Sequence, residues 1–180
     1  MNKNRIIGIS IIALIMGVLL IVANLYIDHN LRKYSVYYAH NMEHKEGTHP
    51  EMAMALENIK VMRTPASRGI RYDYDGLAKV YNEKNNGNIH SICATYVYGV
   101  EYLYSNSKDR SYIFNSDFSL KAIYDSNTAK MEYEKSDIDE EELYKEIYNN
   151  FGFLVEANVN RKPLINMQKE FNKKYYKRFN

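Results

Sequence analysis

Tryptophan is absent, cysteine occurs once, proline occurs three times, and neither sign of charge prevails. A single cysteine excludes an internal disulfide framework and any zinc or iron–sulfur site built from several thiolates. Lys3 and Arg5 precede a long apolar run, so 22 of the 24 basic residues remain beyond it, against 22 acidic ones. A balance this close to zero argues against a nucleic-acid-binding domain. The sequence also lacks a P-loop, a dinucleotide-binding glycine fingerprint, a G-x-S-x-G nucleophile elbow and a papain-type cysteine signature.

What is present is one hydrophobic run of 22 residues, Ile6 to Ile27, with no charge inside it and only Gly8, Ser10, Gly17 and Asn24 interrupting the apolar residues. As a helix it spans about 33 Å, enough for the hydrocarbon core of a bilayer. A cleaved signal peptide would have a shorter apolar region, about 7–15 residues, closed by small residues. Ile21-Val22-Ala23 approximates such a site poorly, and no cysteine follows to carry a lipid. The run reads as an uncleaved single-pass signal-anchor. It divides the chain into a cytoplasmic tail 1–5, a transmembrane anchor 6–27 and an extracytoplasmic domain 28–180, of ordinary single-domain size. The short basic flank favours the N-terminus inside, and a long C-terminal domain translocates largely regardless of its own charge. The expected location is the cell membrane of a Gram-positive bacterium, an origin suggested by the Asn- and Lys-rich composition.

After the anchor, 30–45 lacks proline and glycine, and Leu31, Tyr34, Tyr38 and Met42 recur at helical spacing. Gly47 to Pro50 interrupts, and a second amphipathic helix follows from Glu51 to Met62 with Pro50 in its first turn. From Gly69 the period becomes two. Ile70, Tyr72 and Tyr74 alternate with polar residues, as do Tyr96, Tyr98, Val100, Tyr102 and Tyr104 on a strand running from His90 to Tyr104. Asn86-Gly87, Ser105 to Asp109, Asn115-Ser116-Asp117 and Asp125 to Thr128 read as turns. A capping box at Asp137 to Glu140 opens a helix with the stripe Leu143, Tyr144, Ile147, Tyr148 and Phe151, stopped by Gly152. Pro163 opens the last helix, whose buried stripe is Leu164, Met167, Phe171 and Tyr175. The fold class is α+β: an N-terminal transmembrane helix, then an antiparallel β-meander of four or five strands, with two helices before it and two after.

Three groups of residues are candidates for function. His40-Asn41-Met42-Glu43-His44 matches H-x-x-E-H; on a helix, His40 and His44 would share a face and could hold zinc while Glu43 activates water. The match is short and has no third ligand motif, so a metallopeptidase is the most distant reading and no cofactor is expected. The acidic start of the fourth helix, Asp139, Glu140 and Glu141, fits a solvated helix terminus or a contact with a basic protein. Tyrosine is the compositional excess, with 18 residues. Tyr96, Tyr98, Tyr102 and Tyr104 are either core or a protein-binding face, since tyrosine offers contact area and a hydroxyl that stays hydrogen-bonded when wet. The basic residues of the last helix suit its dipole or an anionic surface such as lipid headgroups or wall polymers.

The basic N-terminus, anchor, helical linker, tyrosine-rich meander and basic closing helix together resemble the TipC-type immunity proteins of Gram-positive bacteria. Locally the likeness rests on Phe114-Asn115-Ser116-Asp117-Phe118-Ser119-Leu120 and on the stretch Pro163 to Phe171. The resemblance implies a non-enzymatic, membrane-anchored protein that binds and blocks a secreted LXG-type toxin outside the membrane, where the toxin attacks cell-wall precursors. A second reading is a non-enzymatic accessory component of a cell-envelope or secretion assembly.

Overall fold

The computed structural model describes the chain apart from positions 1, 2, 76, 77, 86, 87, 97, 98, 107–109, 126, 127, 129 and 133–137; at 3–9, 84, 85 and 132 it describes the backbone alone. The apolar run forms the body of a single helix, α1 (Lys3–Lys33), which continues past the run without a break. Its segment Ser10–Lys33 is long and apolar enough to cross a membrane; the apolar stretch of it has no residue buried in the domain, whereas Asn30 and Leu31 near its end are buried there. The helix ends at Tyr34, and α2 (Ser35–His40) and α3 (Pro50–Glu57) follow. Pro50 does occupy the first turn of α3, where its missing N–H costs nothing. The expected helix over 30–45 is therefore split, and the one expected to reach Met62 stops at Glu57, capped by Asn58, whose side chain folds back onto the Met54 carbonyl at 3.1 Å.

Seven strands follow in an antiparallel meander, each pairing with its sequence neighbours: β1 (Ile70–Asp73), β2 (Lys79–Asn85), β3 (Asn88–Thr95), β4 (Glu101–Ser105), β5 (Arg110–Phe114), β6 (Leu120–Asp125) and β7 (Lys130–Glu132). The count exceeds the expected four or five because the stretch ahead of Asn86 divides into β1 and β2 and because His90 to Tyr104 is not one strand. Near Gly99, which holds φ at 115°, the chain turns back, and Ile92 pairs with Tyr104 and Ala94 with Tyr102. The period of two survives that hairpin because the pairing is even with even, which is why the alternation looks continuous in sequence.

One face of the sheet carries Val80, Ile92, Ala94, Tyr102, Tyr104, Phe114 and Leu120 into a single core, which also takes the buried apolar residues of every helix among the described residues. The tight link between β5 and β6 contributes Phe118, which adopts φ 67°. A left-handed phenylalanine costs about 1–2 kcal/mol. It is held there by stacking on Phe114 at 4.7 Å and by an Asx turn, in which Asp117 Oδ1 accepts from the Ser119 N–H at 2.9 Å.

The chain closes with α4 (Glu140–Phe151), α5 (Phe153–Val159) and α6 (Gln168–Phe179). Asp139 caps α4 by accepting from the Glu142 N–H at 3.0 Å, two residues later than the expected Asp137 cap, which lies outside the described residues. Gly152 does not stop the helical path as expected. It keeps a right-handed φ of −57° and makes a corner from which α5 continues, giving three closing helices. Pro163 lies in the loop ahead of α6, five residues before its first residue, and Leu164 is fully exposed instead of joining the buried stripe.

Candidate functional site

The alternation that buries one face of the sheet exposes the other. Along the centre of that second face run Lys79, Cys93, Leu103, Ile113 and Ala122, directly paired across β2 to β6. Beside them a longer row crosses the whole sheet: Arg71, Tyr81, Ser91, Ser105, Ser111, Tyr124 and Met131. Leu103, Ile113, Tyr81 and Tyr124 are half-buried, and Met131 is 46% exposed. None belongs to the helix-covered core, so among the described residues this face carries no helix. A solvated antiparallel face usually shows polar side chains; here the apolar ones concentrate in the middle and charges stand at the margins. Arg71 lies over the Tyr81 ring at 3.9 Å, with Glu83 beside it at 3.6 Å. A β-bulge at Lys121, opposite the Ile113–Phe114 step, bends the far side of the face. Cys93 is buried there, which pushes its thiol pKa up and makes it an inert apolar side chain.

The tyrosines expected on a binding strand divide. Tyr102 and Tyr104 lie wholly in the core, so the expectation that they form an open contact face is corrected: on β4 the even-numbered positions point under the helices. Tyr96 is 55% exposed at the end of β3, and Tyr98 lies outside the described residues. The buried hydroxyls are tied to charges. Tyr102 OH donates to Glu57 Oε1 at 2.5 Å and receives Arg178 Nη2. Tyr104 OH donates to Glu146 Oε1 at 2.9 Å, which leaves its oxygen to accept from His90 Nδ1 at 2.8 Å and assigns the Nδ1–H tautomer. Burial, then the hydrogen bond to Glu146 and its charge, hold the Tyr104 phenol far above its ordinary pKa. It remains a neutral donor with no nucleophilic character.

This His90–Tyr104–Glu146 group borders a cleft of about 440 Å³ between the start of α4 and the β4–β5 hairpin, lined by Asn106, Arg110, Tyr112, Asp139, Glu142 and Glu146 among others. Of the acidic candidates, Asp139 lines the cleft and is occupied as a helix cap; Glu140 is half-buried, and Glu141 is exposed. The structure thus separates the acidic helix start from the open sheet face, because α4 packs on the opposite side of the sheet through Leu143 and Ile147.

The H-x-x-E-H match fails on geometry. α2 ends at His40, and 41–44 follows as turn and coil, so the two imidazoles do not share a helical face as the zinc reading requires. His40 Nδ1 sits 3.2 Å from Glu51, His44 Nδ1 lies 3.1 Å from the Thr48 hydroxyl, and the Glu43 carbonyl accepts from Asn180 at 2.9 Å. Among the described residues no group of three His, Cys, Asp or Glu side chains could hold a metal ion.

No family model, curated protein or solved structure matches this chain.

What sequence reasoning missed is the surface made by Tyr81, Leu103, Ile113, Tyr124 and Met131. The signal lay in the odd-numbered positions of β2, β4, β5 and β7 and, past the bulge at Lys121, in the even-numbered positions of β6. It was obscured because these residues are scattered over five segments and only the pairing register lines them up.

Proposed function

We propose that this chain is a membrane-anchored, non-enzymatic binding protein, an immunity protein that captures a secreted antibacterial toxin of the LXG class at the outer surface of the cell membrane. In this reading α1 crosses the membrane once with its N-terminus inside, and the domain from residue 28 onward lies outside the cytoplasm. The observation that carries the reading is the uncovered sheet face, with Leu103 and Ile113 at its centre and Tyr81, Tyr124 and Met131 across it. A partly exposed apolar patch with charges at its margin is a mark of a protein-binding surface. Anchoring raises the local concentration of such a binder where a toxin arrives, without any new contact. The neutral, buried phenols of Tyr102 and Tyr104 and the dispersed histidines of the H-x-x-E-H stretch favour binding over catalysis.

The test is growth of cells stripped of the chain in co-culture with unmodified siblings. The expected result is arrest, rescued by the full chain and not by a variant carrying Leu103→Glu and Tyr124→Glu that keeps the wild-type far-UV circular dichroism. Rescue by that variant would remove the sheet face from the reading. No arrest, together with co-purification of the full chain only with envelope proteins, would replace immunity with the accessory role.

A further inference from the structure

The end of the membrane-length helix is built into the domain, and one loop is clamped to it. Asn30, three residues beyond the last apolar position Ile27, donates from Nδ2 to the Ile165 carbonyl at 3.3 Å. At 1.5 Å rise per residue this puts the loop backbone about 4.5 Å along the helix from the end of the apolar run. Tyr38 completes the clamp: its hydroxyl donates to Asn30 Oδ1 at 2.6 Å and accepts from the Met167 N–H at 3.1 Å. Asn30 and Tyr38 are both buried, so this is a fixed junction and not a passing contact.

The loop held there exposes what a soluble surface avoids. Leu164 is 100% exposed, the most exposed large apolar side chain among the described residues, and the adjacent Ile165 is 54% exposed. The surrounding charge is mostly positive. Lys162, Lys169 and Lys173 are exposed, with Glu170 the one acidic residue on the exposed face of α6. Lys174 reaches Asp28, the first residue after the apolar run, at 3.6 Å, which sets α6 level with the exit of α1 from its apolar segment.

Two adjacent exposed aliphatic side chains, Leu164 wholly so and Ile165 by about half, clamped to the end of a membrane-length helix and bordered by lysines, match the layering of a bilayer surface, with acyl chains beneath anionic headgroups. We propose that the 160–167 loop is a second membrane contact: Leu164 and Ile165 enter the bilayer that α1 crosses, and Lys162, Lys169 and Lys173 rest on its anionic headgroups. The domain is then held at two points, and the open sheet face keeps a fixed tilt to the membrane. The inference rests on α1 crossing a bilayer and is independent of which partner the sheet face binds.

The missing tryptophan makes the test direct, since any introduced indole is the sole one in the chain. The full chain carrying Leu164→Trp is reconstituted in vesicles of phosphatidylcholine, and of an equimolar mixture with phosphatidylglycerol, with lipids brominated at shallow or deep acyl positions. A parallel Leu19→Trp variant reports on α1. The expected result is blue-shifted Leu164→Trp emission quenched more by shallow than by deep bromines, and quenched less in the mixed vesicles once Lys162, Lys169 and Lys173 are changed to Gln. If Leu19→Trp is quenched by deep bromines while Leu164→Trp emits as in water, the loop contact is overturned and the membrane reading stands. If Leu19→Trp is unquenched as well, both fall. Leu164 touches nothing in the domain, so the substitution itself leaves the fold intact.

Discussion

Arg178, near the end of α6, forms an ion pair with Glu57, the last residue of α3, and their side chains are only 16% and 12% exposed. The same guanidinium donates from Nε to the Ser116 carbonyl at 2.6 Å and meets the Tyr102 hydroxyl, so one side chain ties α6 to α3, to β4 and to the β5–β6 turn. Burial alone would depress the Arg178 pKa; the hydrogen bond to Glu57, with the Tyr102 and Glu57 charges, outweighs it and holds the group above its ordinary value.

Removing one member of such a pair strands the other in the interior. Arg178→Met is expected to cost about 3–5 kcal/mol, read by denaturant unfolding of the full chain in detergent. Arg178→Met combined with Glu57→Gln should cost less than Arg178→Met alone. A double variant as unstable as the simple sum would show that the residues act separately.

His49 gives the domain an acid-sensitive element. Its ring lies 4.0 Å from that of Tyr144, and Nδ1 is 3.4 Å from Tyr148 OH. Burial lowers its pKa from the ordinary 6.5; Glu51 and Asp117 oppose this, and His44 adds to it. The unfolded chain therefore takes up a proton near pH 6.5 and the folded one only at lower pH. Between those values the unfolded state binds more protons, so stability falls as pH drops below 6.5. His49→Phe keeps the ring stacking and should flatten the dependence of melting temperature on pH between about 7 and about 5. An unchanged slope would assign the acid sensitivity to other groups.

Gly152 offers a case where helix propensity and packing disagree in sign. Propensity favours Gly152→Ala by about 1 kcal/mol. At this corner, however, a Cβ would stand 2.4 Å from the Tyr148 carbonyl oxygen, a backbone atom with no room to rotate away. Gly152→Ala is expected to destabilise the domain by about 1–3 kcal/mol, visible as a lower melting temperature. A rise would mean that the corner between α4 and α5 relaxes freely.

Asn158 acts as a surrogate strand for one residue. Its Oδ1 accepts from the Arg63 N–H at 3.1 Å and its Nδ2 donates to the Arg63 carbonyl at 2.9 Å, satisfying the chain where it leaves the α3 region. Asn158→Asp keeps the shape and replaces the donor with an acceptor facing that carbonyl. The expected loss is about 1–3 kcal/mol near neutral pH, recovering as acid protonates the introduced carboxyl. A loss that does not respond to pH would point to packing instead.

Much of this organisation is legible residue by residue. An uncharged run from Ile6 to Ile27 is a long apolar helix wherever it is placed, because its length and composition alone satisfy the backbone and exclude water. Pro50 at a helix start, an acidic first turn after Asp139, and the period of two in the tyrosine segments are likewise local properties, and they established the α+β class. The tertiary structure decided what local preference cannot encode. Alternation marks two faces but not which one the helices cover, so Tyr102 and Tyr104 entered the core while Leu103 and Ile113 remained open. A hairpin within His90 to Tyr104 preserves the parity of its side chains, so only the pairing of Ile92 with Tyr104 distinguishes it from one long strand. The Glu57–Arg178 pair, the Asn158 clasp and the loop clamped at Asn30 each join residues more than ninety positions apart. Such contacts exist only after the chain has closed on itself, because their energy depends on burial and register that no short segment possesses.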